Sequence, residues 1–186
     1  MNRWGPDGPP PEAYSRVGDP ERFRPLHAAA LRLLEQLEAA FNVARFEGYD
    51  LDSELKAGGF ARPIVRLVPR DPKGAPLTVA FTTFPGLNLR IGRWTLIALP
   101  ACGCDACDET PDSEATRLTE LVDDVTSGRF QEKILLPPDE DGWVESEFWS
   151  WHQRHSTRSQ IDSAGVRERP AGSEPSVIEW GPWPRR

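Results

Sequence analysis

From Phe23 to Ala44 apolar side chains return every three or four positions, at Phe23, Leu26, Ala30, Leu33, Leu34, Leu37, Phe41 and Ala44. That is the period of one face of an α-helix. Asp19 stands at the position of a cap, and Pro20 and Glu21 suit a first turn. His27 lies at the edge of the stripe, where a histidine is more often packed than a ligand. A polar connection follows from Asp50 to Gly59. The period then falls to two: Val65 and Leu67 face one way, and Arg62, Arg66 and Arg70 face the other. This predicts a strand with one wet side. The arginine row can meet an anion, but an exposed strand face carries charge in any case, and the plainer reading is preferred.

Leu77 to Phe84 reads as a second strand, Pro85-Gly86 as a turn, and Leu87 to Leu99 as a third strand with a bulge or kink at Gly92. Short connections between successive strands imply an antiparallel meander. A second helix is announced by Thr110-Pro111-Asp112-Ser113-Glu114, carries Leu118, Leu121, Val122 and Val125, and ends near Gly128. A further strand runs from Phe130 to Leu136, up to Pro137-Pro138, and the turn-like Asp139-Glu140-Asp141-Gly142 leads into Trp143 to Trp151, whose pattern suits either strand or helix. The expected class is α+β, with an antiparallel sheet of about five strands packed by two helices and flexible termini.

Composition sets the boundaries. At 186 residues the chain fits one domain with appended ends. The hydrophobic share of 38% and the 19 prolines, unevenly spread, point to a normal core with poor-core flanks. We divide the chain into a flexible N-terminal tail over 1–18, which contains Pro9-Pro10-Pro11, a single domain over 19–155, and a C-terminal linker and docking tail over 156–186. Trp180 and Trp183 argue that the extreme end packs against something. The seven tryptophans fit a core better than a ligand pocket in so small a domain.

The net charge of −7 conceals an asymmetry, because residues 102–147 hold 14 acidic and 3 basic side chains. Such a stretch repels phosphate backbones and argues against nucleic-acid binding. Its simplest reading is a solvated surface, and its sharper one a docking face for a protein partner with a basic surface. The pairs Asp123-Asp124 and Asp139-Glu140-Asp141 likewise read as solvated. No apolar run approaches the ~20 residues of a membrane span, and the first residues lack the apolar stretch of a secretory signal. A cytoplasmic location is expected. No phosphate loop, dinucleotide fingerprint, GxSxG elbow or HExxH helix occurs, so a non-enzyme is favoured and no catalytic residue is assigned.

The one chemically unusual segment is Cys102-Gly103-Cys104-Asp105-Ala106-Cys107. Where a strand ends, Cys102 and Cys104 can face one side while Gly103 frees the backbone for Cys107 to swing back. Three converging thiolates suit a soft or borderline cation such as zinc, with Zn–S bonds of ~2.3 Å. Candidates for a fourth ligand are His152 and His155, which would share a face were their segment helical, Asp105, Asp108, a water or another subunit. The cluster is half of a common zinc pattern, which would show two separated pairs. Alternatively Cys104 and Cys107 form a redox or catalytic CxxC, although Asp105, Asp108 and Glu109 oppose a thiolate there. A metal-free interaction protein is the third reading.

Phe84-Pro85-Gly86-Leu87, Gly92-Arg93-Trp94 and Cys102-Gly103-Cys104-Asp105-Ala106-Cys107-Asp108-Glu109 resemble an actinobacterial family of unknown function. The resemblance runs from the first helix to Gly128-Arg129-Phe130, and the CGCDACDE string is its most specific part. It implies a compact single-domain bacterial protein and brings no activity, substrate or site residue. The 19 arginines against 3 lysines suit a GC-rich genome.

Overall fold

Period-two segments need neighbours for their backbone groups, and five of them satisfy one another in chain order. The structure, a computed structural model, describes residues 4–6, 8–52, 55, 59–135, 142–149, 154–161 and 177–186. Strands β1 (Val43–Gly48), β2 (Ile64–Pro69), β3 (Leu77–Phe81), β4 (Leu87–Ile91) and β5 (Thr95–Leu99) form an antiparallel meander. The helices α1 (Pro25–Ala40) and α2 (Pro111–Thr126) pack against it. Leu26, Ala30, Leu34 and Leu37 of α1 and Leu118, Leu121, Val122 and Val125 of α2 join Val65, Leu67, Val79, Leu89 and Ile97 in one buried cluster. The α+β class, the five-stranded sheet and the two helices are as the sequence predicts.

Three boundaries differ, each for a physical reason. The helical stripe runs on to Ala44 in sequence, but α1 stops at Ala40 and residues 43–48 pair with β2, from Val43 opposite Pro69 to Gly48 opposite Ile64. Tertiary pairing overrides the local period there. The segment Leu87 to Leu99 is a hairpin rather than one strand: Gly92 adopts φ +66°, the left-handed conformation that favours glycine, and the chain reverses across Gly92-Arg93-Trp94. Asp19 precedes a short 3-10 turn, Pro20–Phe23, and its side chain makes no capping bond.

A second antiparallel sheet has the order β8-β7-β6-β9, built from β6 (Phe130–Leu135), β7 (Gly142–Trp149), β8 (Arg154–Ile161) and β9 (Val177–Trp180). The segment from Trp143 is therefore strand as far as Trp149, and the chain is again strand across residue 156, the expected start of the C-terminal linker. Residues 162–176, most of the expected linker, lie outside those described. After β9 the chain crosses the core: Trp183 is 3% exposed, meets Phe41 edge to face at 5.6 Å and donates its indole N–H to the Ala75 carbonyl at 2.9 Å. The extreme end thus packs against the bundle, as the two tryptophans suggested.

Among the described residues, Glu132 links the two sheets by hydrogen bonds. Glu132 of β6 is fully buried, and its carboxylate accepts hydrogen bonds from the backbone of Arg93 (2.9 Å), Trp94 (2.8 Å) and Thr95 (2.8 Å), from the Thr95 hydroxyl (2.8 Å) and from the Trp180 indole (3.0 Å). Gly92 is required beside it, because a Cβ at that position would collide with the Glu132 carboxylate. No helix among the described residues is long and apolar enough to cross a membrane.

His27 is a packed histidine, with Nε2 2.9 Å from the Gly86 carbonyl oxygen and its ring edge-on to Phe81 at 5.4 Å. Burial holds its pKa below the ordinary histidine value; the Gly86 carbonyl opposes this, and Arg24 and Arg62 reinforce it. The unfolded chain then binds the proton more readily, so stability should fall as pH drops below about 6.5 and level off below the folded value. Urea midpoints between pH 5 and 7.5 should show a shallower pH dependence in His27→Gln than in the wild type, and parallel curves would refute this assignment.

Candidate metal centre

The chain leaves β5 at Leu99 and enters α2 at Pro111, and the loop between them carries all three cysteines. Its shape is fixed from within by Glu109, whose carboxylate accepts N–H groups from Ala101 (2.8 Å), Cys102 (3.3 Å) and Gly103 (2.7 Å). Successive amides turned on one carboxylate make an anion nest. Gly103 adopts φ +74°, and a Cβ there would stand 2.9 Å from the Phe84 ring. The loop ends in a capping box, in which Thr110 Oγ1 accepts the Ser113 amide at 3.1 Å and Ser113 Oγ accepts the Thr110 amide at 2.9 Å.

The N-terminal segment, expected to be a tail, holds the loop from outside. Asp105 N–H donates to the Arg16 carbonyl at 2.8 Å, and Ala106 N–H to the Ala13 carbonyl at 3.1 Å. The Asp105 carboxylate accepts Gly18 N–H and Arg16 Nε, each at 2.8 Å. Arg22 donates to the Gly103 carbonyl at 2.9 Å and the Cys104 carbonyl at 3.2 Å. Ala13, fully buried, packs with Cys104 and Ala106, and Trp4 and Cys107 lie against them. A proline-rich composition did not signal this order, because it comes from backbone bonds to a loop about 90 residues away.

The outcome is convergence. The three sulfurs lie within 4.8 Å of one another, with Cys104 and Cys107 Sγ atoms 3.4 Å apart. Two sulfurs sharing a tetrahedral zinc at ~2.3 Å stand roughly 3.8 Å apart, so the nearer pair must open by a few tenths of an ångström, and sulfurs as far apart as 4.8 Å must close by about 1 Å, to share one ion. Cys104 is buried, Cys107 half-buried and Cys102 exposed, so the cluster opens to solvent at Cys102. The Cys102 thiol, donating to Cys104, holds the Cys104 pKa below its ordinary value; burial opposes this, while the Cys107 amide and thiol and the Ala106 amide assist. Cys107 is pushed up to about 12, because its proton is shared with the Cys104 sulfur and burial disfavours its charged form.

Asp105 was expected to oppose a thiolate, but its charge is matched by Arg16 and by Arg22, 3.5 Å away, and the Gly18 amide and Arg16 hold its pKa low. Asp105 is committed to the N-terminal segment, and Asp108 is exposed. Among the described residues no fourth histidine, cysteine or carboxylate joins the group. His152 lies outside them, and His155 is in β8, a strand, so the helical face imagined for the two histidines does not exist at His155.

The acidic stretch is also less solvated than its composition implies. Glu114, Asp124 and Glu132 are buried. Burial raises the Asp124 pKa against the opposing pull of Arg129, which binds it at 3.0 Å. Burial raises Glu114 as well, with Arg117 3.6 Å away opposing. Sequence could have found Asp124 from its helical phase with Leu121 and Val125. A cleft of about 470 Å³ between the C-terminal ends of α1 and α2 is lined by Leu37, Phe41, Val122 and Trp183 among others, and it shares no residue with the cysteine loop.

The α+β fold thus carries a three-cysteine loop held by the N-terminal segment. The chain belongs to a family of unknown function, DUF6226, which it matches over residues 1–186. No curated protein and no solved structure matches it.

Proposed function

We propose that this protein is a small binding module whose cysteine loop holds zinc, and that its acidic surface receives a protein partner with a basic face. The observation that carries the metal reading is the convergence of Cys102, Cys104 and Cys107 within 4.8 Å on a loop fixed from both sides. Zinc takes the place of the protons the three sulfurs share, which is how metal binding couples to thiol ionisation. The partner reading is supported by Asp108, Asp112 and Glu120, exposed on the loop and the outer side of α2. A reducing compartment such as the cytoplasm suits three free thiols.

A second reading, a dithiol using Cys104 or Cys107, is favoured by their 3.4 Å separation and the lowered Cys104 pKa. Metal content of untagged protein separates the two. One zinc per chain, replaced by cobalt with thiolate-to-metal absorption, is the expected result. Metal-free protein in which one cysteine alkylates far faster than the others near neutral pH would give the site to the dithiol, and three slowly reacting thiols without metal would remove both readings.

A further inference from the structure

Zinc bound by three thiolates needs a fourth donor, and the surroundings of the cysteine loop select its charge. From the loop's electrostatics we infer that this position takes a neutral nitrogen donor, an imidazole, in preference to a carboxylate or a thiolate. The inference rests on the zinc reading and adds to it the chemistry of the open position.

Three thiolates and Zn²⁺ already carry one net negative charge. The open side is the rim at Cys102, the exposed sulfur. At that rim Glu109 places its carboxylate on the amides of Ala101, Cys102 and Gly103, and Asp108 lies exposed between Cys107 and Glu109. The arginines of the clamp do not offset them. Arg16 and Arg22 are directed at Asp105, and Arg22 also at the carbonyls of Gly103 and Cys104. The amino end of α2 offers no relief either, since Thr110 and Ser113 cap it mutually and Asp112 and Glu114 occupy its first turn. An anionic fourth ligand therefore adds a like charge on the side of the loop that carries these two carboxylates, which Coulomb repulsion disfavours. Two of the nearby carboxylates are also committed elsewhere, Asp105 to Arg16 and Gly18, and Glu109 to the nest. Imidazole carries no charge as a ligand and is a regular zinc donor.

The imidazole has two sources, a histidine of this chain or one from a second protein, and cobalt-loaded full-length protein distinguishes them. In the double variant His152→Ala, His155→Ala, free imidazole should shift the cobalt d–d bands at a concentration at least about tenfold below that needed with acetate or mercaptoethanol, leaving the thiolate absorption in place. If wild-type protein resists added imidazole where the double variant responds, the donor is its own. If both respond alike, the donor comes from outside. Bands that move at lower acetate or mercaptoethanol concentration, or do not move with any donor, overturn the inference while the zinc reading stands. Absence of thiolate-to-cobalt absorption overturns the zinc reading itself.

Discussion

Replacing Glu132 with glutamine should destabilise the protein by about 3 kcal/mol, although the substitution barely changes shape. Five donors converge on the two carboxylate oxygens, and none of them accepts a proton from Glu132. A glutamine keeps one oxygen, and turns its NH₂ group either on Arg93 N–H and the Trp180 indole or on Trp94 and Thr95. In either orientation buried donors face donors, and each unsatisfied buried group costs about 1–3 kcal/mol. The loss falls on the contact between the sheets, because Arg93, Trp94 and Thr95 belong to the β4–β5 hairpin while Glu132 and Trp180 belong to β6 and β9. Thr95→Val removes one donor and leaves the other four satisfied, so it should cost only about 1 kcal/mol. Urea unfolding of the three proteins checks the ordering, and a Glu132→Gln variant no weaker than Thr95→Val would refute this role of Glu132 between the sheets.

How much of this was legible in the sequence depends on the range of the interaction. The core stripes of α1 and α2 follow from local period, and the Thr110 cap from residue type. Gly128 and Pro85-Gly86 likewise mark where chains turn. The hairpin at Gly92 reads in sequence as a bulge or kink because nothing within Leu87 to Leu99 shows that Glu132 waits beside the glycine; that contact spans about 40 residues. β1 was lost for a related reason, since Phe41 and Ala44 extend the helical period until pairing with β2 supersedes it.

At the cysteine loop, sequence singled out the three residues whose sulfurs the fold brings close together, and it miscounted the charge of one neighbour, Asp105. Cys102, Cys104 and Cys107 converge because Gly103 and the Glu109 nest bend the chain. Counting Asp105 as a charge near the thiols ignored Arg16, Gly18 and Arg22, which reach it from 83 to 89 positions away. Composition labelled residues 1–18 a tail, yet buried Ala13 and the Arg16 carbonyl form part of the loop's support. The signal that would have helped is the pairing of an arginine-bearing N-terminal segment with an acidic residue inside a cysteine cluster.

Cys104→Ser should lower zinc affinity by more than about 100-fold, because even outer partners of metal ligands contribute 10–100-fold. It should also release the N-terminal segment. Cys104 is the buried member of the cluster: its side chain packs on Ala13, its carbonyl accepts from Arg22, and its sulfur lies 3.4 Å from that of Cys107. On the zinc reading, a bound ion would tie those three points to Cys102 and Cys107, and so to the backbone that binds Arg16 and Ala13 through Asp105 and Ala106. Without it the loop is held by hydrogen bonds alone and opens locally more often. Cleavage by trypsin after Arg16 and Arg22 should therefore be at least about tenfold faster in chelator-treated wild type and in Cys104→Ser than in zinc-loaded protein, a tenfold ratio corresponding to ~1.4 kcal/mol. Cys102→Ser, altered at the exposed rim, should weaken zinc but leave the apo cleavage rate at the chelated wild-type value. Equal cleavage with and without metal would separate the N-terminal clamp from the cysteines and leave it a purely structural contact.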